Sequence, residues 1–200
     1  VTERAGVVLI VAAAVACART VAPPPPPDLP RTVAVLTPGN RTGDPLLVSG
    51  GSLLEKYVFR SDRITVPDVI ASEARLQLEL HGFTVASPDA VEQATGGRVA
   101  GSVEAAAEIA AQARLEGLVL WIDVRRWDPD PPTEPDHVIV ALTADLIDVA
   151  TGRVRWHAER PSRPVATPGE IALGPADVAA AHKVMEEMLA PLAPAVKPGS

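Results

Sequence analysis

His137-Val-Ile-Val-Ala-Leu-Thr-Ala-Asp-Leu-Ile-Asp148, then Val149-Ala-Thr-Gly152, then Arg153-Val-Arg-Trp-His-Ala-Glu159, is the stretch that decides the fold. Both flanking runs are rich in β-branched and aromatic residues, and a short Gly-containing loop between two such runs signals a hairpin. Just upstream, Leu118 to Arg125 is another strand-like run. The C-terminal half therefore predicts three consecutive strands in an antiparallel meander.

Working outward, the N-terminal half alternates strands with helices. Thr32 to Thr37, Thr-Val-Ala-Val-Leu-Thr, is a near-continuous apolar run of the kind a central strand covered on both faces requires, and Pro38-Gly39-Asn40 ends it in a loop. A helix begins near Pro67, where a first-turn proline removes only an N–H that would be unpaired anyway. Ile70, Ala74 and Leu78 recur every four residues on its buried side, Leu76 and Leu80 broaden that side, and His81-Gly82 closes it. Phe83 to Ala86 follows as a strand. Ser102 caps an alanine-rich helix over Val103 to Glu116, stopped by Gly117. A last helix, about Pro175 to Leu189, is bounded by Pro191 and Pro194. Residues 41–65 fit either a hairpin or a short helix, with Ser49-Gly50-Gly51-Ser52 separating Pro45-Leu-Leu-Val48 from Leu53-Leu-Glu-Lys-Tyr-Val-Phe59, and that choice stays open; the glycine-rich pieces Ser49-Gly50-Gly51-Ser52 and Thr95-Gly96-Gly97-Arg98 read as turns. The order strand, helix, strand, helix, strand, strand, strand, helix predicts an α/β fold, a mixed sheet with flanking helices, over residues 31–190. Residues 191–200 are expected to form a flexible tail.

The first thirty residues are of another kind. After Val-Thr-Glu-Arg comes an apolar run, Ala5 to Ala16, ending at Cys17. A bilayer-spanning helix needs about 20 apolar residues; a shorter run ending in small residues has the form of a secretory signal. Ala14-Val15-Ala16 before the chain's single cysteine resembles the box that precedes the modified cysteine of bacterial lipoproteins. The expectation is a signal peptide over 1–16 and acyl chains on Cys17, which anchor the chain to membrane. The alternative is an uncleaved apolar anchor. Ala18, where an Asp would suggest retention in the inner membrane, favours the outer membrane, facing the periplasm. Pro23 to Pro27 give residues 17–30 the character of a semi-rigid polyproline II tether.

Composition bounds the chemistry. The net charge is −7 with no basic stripe, which argues against nucleic acid as a partner. His81, His137, His157 and His182 have no HxxxH, HExxH or CxxC neighbours, so the sequence offers neither metal ligands nor a cofactor site. There is no phosphate-binding glycine motif and no nucleophile elbow. The acidic stretch Asp128 to Asp136 has prolines where a calcium loop needs a glycine turn, and reads as a solvated hairpin tip. One feature stands apart in a chain only 3% aromatic: strand alternation places Trp121, Asp123, Arg125 and Trp127 on one face, with Leu120, Ile122 and Val124 on the other. Trp and Arg are favoured at binding hot spots, so this face is the expected partner surface. Packing of Trp121 beneath a helix, with Arg125 paired to Asp123, is the alternative.

Several segments resemble a family of envelope proteins. Val33-Ala-Val-Leu-Thr-Pro-Gly-Asn-Arg-Thr42 is similar to the opening strand and loop of CsgG-like, LpoB-like and TolB N-terminal-like proteins. Ile70 to Ser87 resembles their helix and following strand, Arg114 to Val124 their next strand, and Ala144 to Trp156 their "DxxTG" hairpin. The resemblance spans roughly residues 31–190. It implies a layered mixed sheet and non-enzymatic work: protein contact in the cell envelope, as an adaptor or regulator of an assembly. The alternative it implies is a subunit of a homo-oligomeric outer-membrane or secretion complex. A hydrolase is the least supported reading, because the family brings no catalytic motif to transfer.

Overall fold

The structure, a computed structural model, describes residues 24, 28–48, 64–130, 136–169 and 173–194. Cys17, most of the tether and the tip of the acidic hairpin lie outside them. The described residues form an α/β fold with one mixed sheet. Its strands are β1 (Thr32–Val35), β2 (Gly39–Asn40), β3 (Thr84–Val85), β4 (Leu118–Asp130), β5 (His137–Asp148) and β6 (Arg153–Ala166). They run in the order β3-β1-β4-β5-β6, with β2 added beside β4. β1 is parallel to β3 and β4, β2 is parallel to β4, and β4-β5-β6 form the antiparallel meander read from the sequence. The helices are α1 (Val66–Leu80), α2 (Pro88–Thr95), α3 (Val103–Gln112) and α4 (Leu173–Leu189).

Alternation along β1 shows how the layers form. Val33 and Val35 enter one core with α1 and α4, where Ile70, Leu78, Met185 and Leu189 pack against Leu120, Ile122 and Leu146. Ala34 and Leu36 point the other way, into a smaller core with Val91 of α2, Ala106 and Ile109 of α3, Val119 and Trp121. Both faces of the β1–β4 half are thus covered, as its unbroken apolar runs require. Leu29 and Leu192 join the larger core, so packed residues reach past both ends of the expected 31–190 span.

The departures from expectation have local causes. α2 was not foreseen: Ser87 caps it, Pro88 opens it, and Gly96 closes it with φ of +65°. β2 lies in what reads as loop, held by parallel pairing of Gly39 and Asn40 with Asp123 and Val124. α3 ends at Gln112 rather than Glu116, because Arg114 turns left-handed with φ of +54°. β4 continues past Arg125 because the first half of β5 pairs with it. β6 runs through Pro161 and Pro164 to Ala166, which an edge strand tolerates.

Candidate functional site

The expected partner face is divided by one extra residue. From Leu118 to Val124, β4 pairs with β5 in simple register, but Val124 lies opposite Leu142 and Arg126 opposite Ala141, so Arg125 is bulged out. A bulge shifts the side-chain alternation by one position. Trp121 and Asp123 therefore lie on the α3 side of the sheet, whereas Trp127 turns into the larger core beside Val138 and Val140. The four residues do not share one face. Trp127 is 3% exposed, and its Nε1 donates to Asp177 Oδ1 of α4 at 2.8 Å. Burial pushes the Asp177 carboxyl above the usual range, and the Trp127 hydrogen bond opposes that rise. Trp121, 2% exposed, packs in the smaller core, and its Nε1 has no hydrogen-bond partner among the described residues.

Asp123 and Arg125 belong to a polar array that the sequence did not reveal as a unit. α2 and α3 pack over β1 and the start of β4, and the same face continues across β5 and β6 as polar rows. One row runs Trp121, Asp145, His157; the next runs Asp123, Thr143, Glu159. Asp123 is buried, yet it faces two arginines: Arg41 Nε lies 3.0 Å from Oδ1 and 2.9 Å from Oδ2, and Arg125 Nε lies 3.5 Å from Oδ2. Arg41 also donates from Nη2 to the Gly101 carbonyl at 2.8 Å, tying the β2 loop to the entry of α3. Arg125 reaches Glu159 at 3.5 Å across the sheet. Asp145, also buried, lies 2.7 Å from His157 Nδ1; burial raises its carboxyl and the His157 contact works against the rise.

The β2 loop is shaped to hold Arg41 there. Asn40 Oδ1 accepts from the backbone N–H and hydroxyl of Thr42, and Asn40 Nδ2 donates to the Asp44 carbonyl, a side-chain-built turn. Gly39 leaves the room: a Cβ there would stand 3.2 Å from Asp123 Oδ1 and 3.3 Å from both the Ala100 carbonyl and Trp121 Cζ2. The outer ends of the array are open, with Arg41, Arg125, His157 and Glu159 each half-exposed.

Neither a family model nor a curated protein sequence matches this chain. Solved structures do. In fold the chain is similar to PelC. The PelC dodecamer from Paraburkholderia phytofirmans aligns over 86% of this chain and 94% of that one, at 18% identity and a TM-score of 0.50. Looser likenesses include the lipoprotein GNA1162 from Neisseria meningitidis, at 15% identity over 70% of this chain and 83% of that one with a TM-score of 0.42. The LpoB C-terminal domain from Salmonella enterica aligns at 18% identity over 70% and 84%, with a TM-score of 0.39. At 18% identity, what this chain shares with PelC is the fold.

Arg41, Asp145, His157 and Glu159 are the site residues that sequence reading passed over. The signal for the last three was the hairpin itself: out-facing positions of β5 and β6 become neighbours once register is assigned. The bulge at Arg155, between the pairs Leu146–Trp156 and Ile147–Val154, obscures that register. Among the described residues no group of three or more His, Cys, Asp or Glu side chains is placed to hold a metal ion, and no described helix is long and apolar enough to cross a membrane.

Proposed function

We propose that this chain is an envelope lipoprotein, acylated at Cys17 and facing the periplasm from the outer membrane, which works without catalysis as an adaptor or regulator by binding another envelope protein. The observation that carries the binding part is the open polar face. Buried Asp123 and Asp145 fix half-exposed Arg41, Arg125 and His157 on a rigid sheet, which suits recognition of a partner of mixed charge. Of the expected partner-binding residues, Arg125 and Asp123 stay in this proposal, the first as contact and the second as its anchor; Trp121 and Trp127 support from within. The resemblance of residues 31–190 to CsgG-like, LpoB-like and TolB N-terminal-like proteins supports the same reading. So does the order of the amino-terminal segments, with a signal over 1–16 and a tether over 17–30.

A second reading, a subunit of a homo-oligomer, is favoured by one observation: the structure similar in fold at a TM-score of 0.50 is a dodecamer. Two measurements separate these. A photo-crosslinking amino acid at Arg125 or Glu159 in intact cells should trap a different envelope protein, while one at Glu92, exposed on α2, should not. Light scattering of the domain from Asp28 onward should give a monomer for the adaptor and a multiple for the subunit. Equal trapping at all three positions would remove the polar face from the account.

A further inference from the structure

β6 is the outermost strand of the sheet, and a second irregularity shapes its far half. Leu142 lies opposite Arg160 and Val140 opposite Arg163, three residues of β6 against two of β5. Strict alternation sends residues three apart to opposite faces; the extra residue puts Arg160 and Arg163 on one face, the side of Leu142 and Val140 in the larger core. Ser162 turns the other way, where its hydroxyl accepts from Arg126 Nη1 at 3.2 Å. Leu142 and Val140 are about 7 Å apart along β5, so the two arginine side chains start within reach of a common point.

α4 closes the seam beside them. Glu187 Oε2 accepts from Arg160 Nη1 at 2.6 Å, and Lys183 Nζ donates to the Ala166 carbonyl. Lys183 and Glu187 are one turn apart on one side of the helix, and Arg163 lies between Arg160 and Ala166 on the strand. Arg163 therefore sits between the two contacts.

The two arginines are short of acceptors. Arg160 is 6% exposed, and its Nε is buried with no hydrogen-bond partner among the described residues. Arg163 Nε is buried and unpartnered as well, and among the described residues Arg163 forms no ion pair. By contrast, Arg126 and Arg155 meet carboxylates at 2.6 and 2.9 Å. A buried donor without an acceptor is costly, and a bound water or ion is the usual resolution. Charge favours the ion. Among the described residues Glu187 is the one carboxylate in ion contact with Arg160, Arg163 or Lys183, so three cations less one anion leave the seam with two positive charges in a chain of net −7.

From the unsatisfied Nε groups, their alignment by the bulge and the local excess of charge, we infer that the seam between β6 and α4 is a phosphate-binding site, with Arg160 and Arg163 donating from Nε and Lys183 supplying the third cation. A phosphate monoester carries about −1.5 to −2 charges at pH 7, which matches the excess, and guanidinium donors suit its oxygens. Inorganic phosphate and the headgroup of a phosphomonoester lipid present the same chemistry to these donors. The seam lies on the opposite side of the sheet from the Asp123–Arg125 array and does not depend on it.

The test follows the arginine Nε–H resonances of the full chain in neutral detergent micelles as inorganic phosphate replaces chloride at constant ionic strength. Those of Arg160 and Arg163 should shift saturably, while that of Arg153, exposed on the same strand, should not. Arg163→Gln should weaken the response of Arg160 on the order of tenfold, as loss of one charged hydrogen bond implies; Arg153→Gln should leave it unchanged. The thermal midpoint is a second readout. Phosphate stabilises proteins generally by exclusion from their surface, so binding is the rise in the parent chain beyond that in Arg163→Gln. Where that variant fails to fold, the titration of the parent chain still reads the site. Micelles doped with phosphatidic acid separate the sources: a response to the lipid alone assigns the headgroup, a response to inorganic phosphate alone assigns the free ion, and either supports the site. Resonances that move with neither probe, or that move equally at Arg153, mean that water satisfies the seam, and overturn the inference.

Discussion

Replacing Trp127 with Ala tests the bulge at Arg125, on which the division of the two sheet faces depends. If β4 alternated without interruption, Trp127 would share the open face with Arg125, and its loss would matter little to stability. With Arg125 bulged, Trp127 is 3% exposed in the larger core and donates to buried Asp177. Truncating a buried Trp costs about 3–5 kcal/mol in lost transfer energy and residual cavity, and the carboxyl of Asp177 loses its donor as well. In a domain of this size 1 kcal/mol corresponds to about 2–4 °C, so the midpoint should fall by about 6–20 °C. Arg125→Ala is the internal control: its side chain is half-exposed and its ion-pair contacts are long, so the change should stay within about 0.5 kcal/mol. Calorimetry on both variants, with circular dichroism to confirm the fold at 25 °C, reads the result. Equal and small shifts would falsify the bulge and return Trp127 to the surface.

Other consequences follow from individual contacts. Asp177→Asn keeps an acceptor for Trp127 and removes a carboxyl whose folded pKa burial has raised. Such a group favours the folded state least once the unfolded chain ionises, so the Asn variant should gain on the wild type as pH rises from about 4 and match it below; a difference that ignores pH in urea titrations would refute this. Gly117→Ala should destabilise far more than Gly97→Ala, although both glycines have left-handed φ, +71° and +69°. A Cβ at 117 would lie 2.5 Å from the Thr32 carbonyl oxygen, whereas at 97 nothing lies within 4 Å; Gly97→Ala should cost about 1–2 kcal/mol, and similar values for the two would contradict the tight approach of β1. Arg41→Ala leaves Asp123 buried with its nearest cation gone, at a cost of about 1–3 kcal/mol, and Asp123→Asn in the same chain should restore part of it. A double-mutant cycle showing no coupling would mean that solvent, not Asp123, holds Arg41.

Much of the sheet was legible because its signals are redundant. The run from His137 to Asp148 is β-rich throughout, Gly152 adopts φ of +66° in the turn, and Ser102 and Pro67 sit where helix starts need them. The elements that escaped are those made by tertiary contact or by short motifs. β2 has two residues and exists only because β4 offers it a ladder. α2 has eight, too few to show periodicity, although Ser87, Pro88 and Gly96 bracket it. The site was half legible: Asp123 and Arg125 stood out within β4, but nothing in Val124-Arg125-Arg126-Trp127 announces a bulge. Pairing is a property of two strands, and only the partner strand shows that one residue is extra.

The side chains of the proposed contact surface are held in place before any partner arrives. A surface of freely rotating arginines loses about 0.5–1.5 kcal/mol for each side chain immobilised at an interface. Here Arg41 is already held by Asp123 and by the Gly101 carbonyl, and His157 by Asp145, so that ordering is met when the chain folds. The two aspartates can do this because they are buried at fixed positions on adjacent strands, one row apart. Their burial is tolerable because each faces a cation or a histidine. Turning Trp127 into the opposite core leaves Arg125 as the residue that spans from Asp123 to Glu159. The proposed contact surface is thus made of exposed arginines and a histidine, while the residues that give it shape are buried aspartates that touch no partner themselves.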